Sequence, residues 1–263
     1  MSEAVKLNYE TSGDRENPAL VLIHGLFGDA DNLKSISREL SDSYYVVNVE
    51  LRNHGSSPWT DSMPFPAMAA DISAVLDAEN IEQAHLLGHS LGGKVAMEFA
   101  LRHPKQVLSL VVADIAPVAY DARHTSILDA LEAVKLSDLK SRQDADKQLS
   151  ESINEAGVRM FLLKNLRKNE DGEWHWRLNL EGLRKCYEDL IGEPQREGKY
   201  QGPVLFIRGG RSDYIQEQHR DAITSRFPKA EAKTIAETGH WLHAEKPAVF
   251  NGIVRRFLEE QNT

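Results

Sequence analysis

Short, almost uninterrupted apolar runs dominate the first 115 residues: Ala19–Ile23, Tyr44–Val49, Ala84–Leu87 and Val107–Val112. Longer stretches separate them, and Met63–Ala78 and Leu91–His103 carry apolar residues at helical spacing. Runs without polar alternation suit strands covered on both faces. Their alternation with amphipathic segments is the signature of βαβ units, so the chain is predicted to build an α/β fold around a mostly parallel sheet.

The pattern changes at about Val118. From there to Gly198 the chain is rich in Asp, Glu, Lys, Leu and Arg, with helical spacing and no convincing strand. Leu128, Leu131, Val134 and Leu136 fit one apolar stripe; Val158, Phe161, Leu162 and Leu166 fit another. Strand signals return at Pro203–Ile207 and Ala230–Ile235, and a helix is expected over Ala248–Glu260. The economical organisation is one core, residues 1–117 and 199–263, interrupted by a helical insertion at 118–198.

A length of 263 residues suits a single α/β unit with a sizeable core. With 31 Lys and Arg against 40 Asp and Glu, the net charge of −9 gives no electrostatic reason to expect nucleic acid or an anionic membrane as partner. Cys186 is the only cysteine, which excludes an intramolecular disulfide and points to a packing role. The start, Met1–Lys6, lacks the apolar run of a signal peptide, and no stretch approaches the ~20 apolar residues of a membrane span. The expectation is a soluble cytoplasmic protein, monomer or homodimer. No dinucleotide or phosphate-binding glycine loop and no metal-ligand spacing is present, so neither cofactor nor metal is expected.

Gly88-His89-Ser90-Leu91-Gly92 matches G-x-S-x-G between a predicted strand and a predicted helix. In that setting the serine sits on a sharp, strained turn that only flanking glycines permit, and its hydroxyl projects beyond the carboxyl edge of the sheet. Ser90 is therefore the candidate nucleophile. A serine needs a base, and in this chain order it should follow the last strand, where Gly239-His240 lies. His243 is the nearest competitor, but it falls where the next helix should begin. For His24, His54 and His89 the expectation is local hydrogen bonding to backbone. For His85, His103, His124, His175 and His219 it is surface placement. The Leu91 amide and one from His24-Gly25-Leu26-Phe27-Gly28, with Leu26 ahead of Phe27, could hold an oxyanion. The acid that would orient His240 is either Asp114, at the end of the Val107–Val112 strand, or Asp213, after the Pro203–Ile207 strand.

Taken together, these segments resemble the α/β-hydrolase superfamily over essentially the whole chain. The matching order is His24-Gly25, Arg52-Asn53-His54-Gly55-Ser56-Ser57, Gly88–Gly92, Asp213 and Gly239-His240. Three segments resemble bacterial YbfF-type esterases in particular: His24–Gly28 with Asp31-Asn32-Leu33, Asp114–Val118, and Gly209–Tyr214. The resemblance implies an eight-stranded, mostly parallel sheet flanked by helices. It also implies a helical cap at 118–198 inserted after the sixth strand, and activity on short acyl esters and acyl-CoA thioesters. Some relatives lack a carboxylate at the position of Asp213, keep that of Asp114 and involve the serine that corresponds to Ser212. This chain has both carboxylates, with Asp114 slightly favoured. It also has Glu50 where relatives more often carry Asp, a change expected to affect loop packing more than chemistry.

The function expected is carboxylic-ester hydrolysis through an acyl-enzyme on Ser90. The alternatives are C–C bond hydrolysis or a lyase step with the same residues, and a non-catalytic ligand-binding module. Phe161, Leu162, Trp174, Trp176 and Tyr187 could line the cap or form its core, with core preferred for the two tryptophans.

Overall fold

The computed structural model describes residues 4–262. Among them, seven strands form the main sheet: β1 (Tyr9–Ser12), β2 (Ala19–Ile23), β3 (Tyr45–Val49), β4 (Ala84–His89), β5 (Val107–Ala113), β8 (Val204–Gly209) and β9 (Ala230–Ile235). A separate antiparallel pair, β6 (Leu166–Lys168) and β7 (Trp174–Trp176), lies between β5 and β8 in sequence. The sheet order is β1-β3-β2-β4-β5-β8-β9, parallel throughout except for the β1–β3 edge.

The mostly parallel α/β sheet agrees with the sequence reading, but it holds seven strands among the described residues where eight were expected. Residues 4–8 lie outside the strands, and two of their amides are taken by side chains. The Val5 N–H donates to the Asp71 carboxylate (2.7 Å) and the Asn8 N–H to Ser57 Oγ (2.9 Å).

Every residue of β2, β3 and β4 is buried. Alternate side chains serve opposite faces. Val21 and Ile23 join the core under helices Phe65–Glu79 and Leu91–Arg102, whereas Leu20 and Leu22 join that under Lys34–Leu40 and Pro247–Gln261. Near-continuous apolar runs are thus the consequence of two covered faces.

Residues 118–198 carry the helices Thr125–Ala133, Arg142–Leu149, Ala156–Leu163, Leu180–Lys185 and Tyr187–Ile191. The β6–β7 pair corrects the expectation of no strand there; at three residues each, the strands are too short for periodicity to reveal. This region is fastened to the loops after β2 and β3. Asn165 Nδ2 donates to Phe27 O (2.7 Å), the Asn179 N–H donates to Asn53 O (3.0 Å), and Arg177 reaches Glu50 (3.2 Å). Glu50 also accepts from Ser56 N (2.7 Å) and Asn8 Nδ2 (2.9 Å), so the buried carboxylate gathers loop donors.

Candidate active site

The loops after β2, β4, β5, β8 and β9 leave the same carboxyl edge of the sheet, where open α/β sheets hold their ligands. Two of them extend the ladder by one residue beyond the strand. Ser90 N–H donates to Ala113 O (3.0 Å) and Asp114 N–H to Ile207 O (2.8 Å), which fixes both backbones relative to neighbouring strands. Both residues then turn sharply, with φ of 54° and 53°. For Ser90, with ψ of −119°, this is a strained conformation of the kind that persists where the surroundings over-determine it. The surroundings are tight: a Cβ on Gly88 would run into the Gly92 carbonyl, and one on Gly92 into that of Ile23.

Ser90 Oγ lies 2.9 Å from His240 Nε2, and His240 Nδ1 lies 2.8 Å from Asp114 Oδ2. The carboxylate of Asp114 is fully buried. It accepts from Gly209 N through Oδ1 (2.9 Å) and from Ser212 Oγ through the same Oδ2 that faces the histidine. An ionised Asp114 can only accept, so its partner nitrogen Nδ1 carries the proton and Nε2 presents a lone pair to the serine hydroxyl. His240 is held from other sides as well. Its carbonyl accepts from His89 Nε2 (2.8 Å), and its ring stacks on Tyr214 at 4.0 Å and 21°.

Asp213, the other acid considered, is elsewhere. Its carboxylate pairs with Arg123 at 2.7 Å and is largely exposed. Among the described residues it has no contact with His240. The geometry therefore joins Ser90, His240, Asp114 and Ser212 and leaves Asp213 outside.

Leu26 and Leu91 both border a small cavity that adjoins Ser90. Phe27, the alternative loop donor, is occupied: its N–H donates to His54 Nε2 (3.2 Å). The Leu91 amide begins the helix Leu91–Arg102 and has no intrahelical acceptor available to it.

A larger cavity of about 270 Å³ opens on Ser90 and His240. Its walls come from the β2 loop and from Ile127, Val158, Phe161 and Leu162, with Trp241 at one side. Phe161 and Leu162 thus line the cavity as considered. Trp174 pairs across the short β6–β7 ladder and Trp176 is buried in the core, away from the cavity. The Tyr187 hydroxyl accepts from the His124 N–H at 2.8 Å.

Two expectations of surface histidines fail. His85 is fully buried in β4, bonded to Ser109 Oγ (2.8 Å) and Asn262 (3.0 Å). His124 lines the cavity, and burial pushes its pKa down to about 4. Tyr214 and Arg123 also line it and were not singled out as site residues. Tyr214 follows Asp213 in the loop after β8, a position that could have drawn notice; His124 and Arg123 had no local motif.

His24 and His54 brace the β2 and β3 loops as neutral rings. His24 Nε2 accepts from Leu51 N (3.0 Å), His54 Nε2 from Phe27 N (3.2 Å), and burial lowers their pKa values to about 4 and about 3. In the unfolded chain both titrate near the ordinary value, roughly 6.5. Below that value the unfolded state takes up protons that the folded state refuses, so stability present at neutral pH is lost as pH falls toward about 4. The pair should contribute a slope on the order of 2–3 kcal/mol per pH unit between pH 6 and 4.5. Urea denaturation across that range measures it. A His24→Gln/His54→Gln variant should show a shallower dependence, and a wild-type stability that is flat from pH 6.5 to 4.5 would contradict the assignment.

The sequence matches the alpha/beta hydrolase family over residues 20–253. It is 41% identical over 260 residues to Esterase YbfF of Escherichia coli K12, covering 97% of this chain and 100% of that protein. It is 39% identical over 254 residues to the sn-1-specific diacylglycerol lipase ABHD11 of Mus musculus, covering 94% and 82%. Among solved structures, a marine microorganism esterase is similar with a TM-score of 0.93 at 37% identity, covering 97% of this chain and all of the other.

Proposed function

The chain belongs to the alpha/beta hydrolase family, and from that premise we propose that it is a serine hydrolase of short-chain carboxylic esters. The observation that carries this reading is the unbroken chain of hydrogen bonds Ser90–His240–Asp114 beside an apolar cavity.

In this mechanism Ser90 Oγ attacks the acyl carbonyl carbon while His240 Nε2 takes the hydroxyl proton. Negative charge develops on the carbonyl oxygen, and the amides of Leu26 and Leu91 donate to it. Each such donor is worth roughly 2.7–4 kcal/mol in the transition state. His240, now an imidazolium, is stabilised by the buried Asp114 carboxylate, with Ser212 and Gly209 holding that carboxylate in place. The imidazolium gives its proton to the leaving alcohol and leaves an ester on Ser90. Water, deprotonated by His240, attacks that ester; the acid departs and the hydroxyl is restored.

Residues 118–198 act as a cap, since Ile127, Val158, Phe161 and Leu162 of this region roof the cavity. A volume near 270 Å³ is small for a ligand site and supports short acyl groups. Thioesters fit the same chemistry, because a leaving thiolate demands less of the imidazolium than an alkoxide does and the acyl-enzyme is identical. A panel of p-nitrophenyl esters from acetate to palmitate, run beside short acyl-CoA thioesters, tests the reading. Turnover should peak at the short end and fall by an order of magnitude or more for palmitate. No hydrolysis of any ester would overturn it.

A further inference from the structure

His89 and His243 line the larger cavity and take no proton in the steps above. Each is 5% exposed, and their rings meet edge to face with centroids 4.4 Å apart. Burial holds both neutral, with the pKa of His243 pushed down to about 3 and that of His89 well below the ordinary value. A neutral imidazole has one N–H and one bare nitrogen. At His89 the assignment is fixed, because Nε2 faces the His240 carbonyl at 2.8 Å and a carbonyl only accepts. Nε2 therefore carries the proton, and Nδ1 is an acceptor that no donor among the described residues reaches. At His243 neither nitrogen has a hydrogen-bond partner among the described residues. Asn32, on the same cavity, accepts from the Asp29 N–H through Oδ1 (2.7 Å), and its Nδ2 donor is unpaired among those residues. The group stands beside the nucleophile. A Cβ on Gly25 would lie 3.1 Å from His89 Nδ1 and 3.2 Å from Ser90 Cβ, and one on Gly28 would lie 2.9 Å from Asn32 Oδ1.

Buried polar atoms are nearly always paired, so unpaired ones gathered beside the nucleophile point to a partner that arrives with the substrate. Their chemistry narrows that partner. A ketone or carboxylate oxygen only accepts and leaves His89 Nδ1 bare; an alkyl chain leaves every member unpaired. A hydroxyl donates to His89 Nδ1 and accepts from Asn32 Nδ2 or from the N–H of His243. We propose that the cavity selects acyl groups that carry a hydroxyl close to the ester carbonyl, read by His89, His243 and Asn32. This deepens the ester-hydrolase reading and rests on it for its substrates.

The test measures kcat/KM for methyl 3-hydroxybutyrate, each enantiomer separately, over that for methyl butyrate; the esters differ by one hydroxyl. Wild type should prefer one hydroxy enantiomer about tenfold, because the apolar ester leaves the polar groups unpaired. In His243→Phe that ratio should fall about tenfold, since phenylalanine keeps a ring but offers no polar atom. His243→Gln restores a donor and an acceptor and should return the ratio to within about threefold of wild type. A role confined to packing would change both esters together and leave the ratio alone. Thermal unfolding confirms that each variant is folded, and Asn32→Leu carries the same expectation as His243→Phe if the latter is not. A wild-type ratio below about threefold for both enantiomers overturns the proposal, as does a folded His243→Phe whose ratio stays within about threefold of wild type. If wild type hydrolyses none of these esters, the hydrolase reading fails by itself, and their binding by calorimetry decides the hydroxyl site separately. Affinity about tenfold tighter for a hydroxy ester, and lost in His243→Phe, supports it; equal affinities overturn it.

Discussion

Ser90→Ala is expected to lower kcat on p-nitrophenyl acetate by about 10⁴-fold or more, with the melting temperature almost unchanged. The two halves of this result have different causes. In the proposed mechanism the hydroxyl forms and breaks the acyl bond, so no neighbour can replace it; the residual rate would come from the oxyanion donors and substrate binding alone. The same hydroxyl makes one side-chain contact, to His240 Nε2, and removing it opens little space. The backbone strain at φ 54° is borne by alanine as by serine. A variant that keeps more than a tenth of wild-type activity would remove Ser90 from the nucleophile role.

The second large effect concerns the acid. Asp114→Asn should cost up to about 10⁴ in kcat, whereas Asp213→Asn should change kcat on a neutral ester by less than about threefold. Asparagine keeps the shape of aspartate but can offer N–H where a carboxylate only accepts. Facing His240, that amide favours the tautomer whose Nε2 carries the proton, and such a ring cannot accept from Ser90. It also withdraws the charge that stabilises the imidazolium. Asp213 has no part in this, since its carboxylate meets Arg123 near the surface. Measurements at saturating substrate, with circular dichroism as a check on folding, separate the two. A collapse in Asp213→Asn beside a near-normal Asp114→Asn would reverse the assignment.

The choice between these two acids shows where sequence reading stops. Ser90 and His240 were legible because each is announced locally: a glycine-flanked serine between an apolar run and a helix, and a Gly-His pair after the last strand signal. Asp114 and Asp213 were not separable, because β5 and β8 are hydrogen-bonded neighbours and both acids follow the carboxyl ends of those strands. Only the three-dimensional turn, which carries Asp114 inward toward Gly209, Ser212 and His240, distinguishes them. The strands of the core were read to within two residues, since burial on both faces leaves a continuous apolar run. The exposed edge was missed: β1, with the pattern Tyr9-Glu10-Thr11-Ser12, has no such run and owes its place to pairing with β3. His85 was misplaced for a related reason. A polar residue inside an apolar strand gives no sign of a buried partner, and Ser109 lies 24 positions away.

The most direct test of the account is to trap the acyl-enzyme. Wild-type protein mixed with p-nitrophenyl acetate and quenched in acid within the first turnover should gain a single acetyl group by intact mass, and peptide mapping should find it on Ser90. His240→Gln and Ser90→Ala should remain unlabelled under the same conditions. Sustained ester turnover with no acetyl on Ser90, or with the acetyl on another residue, would contradict the account.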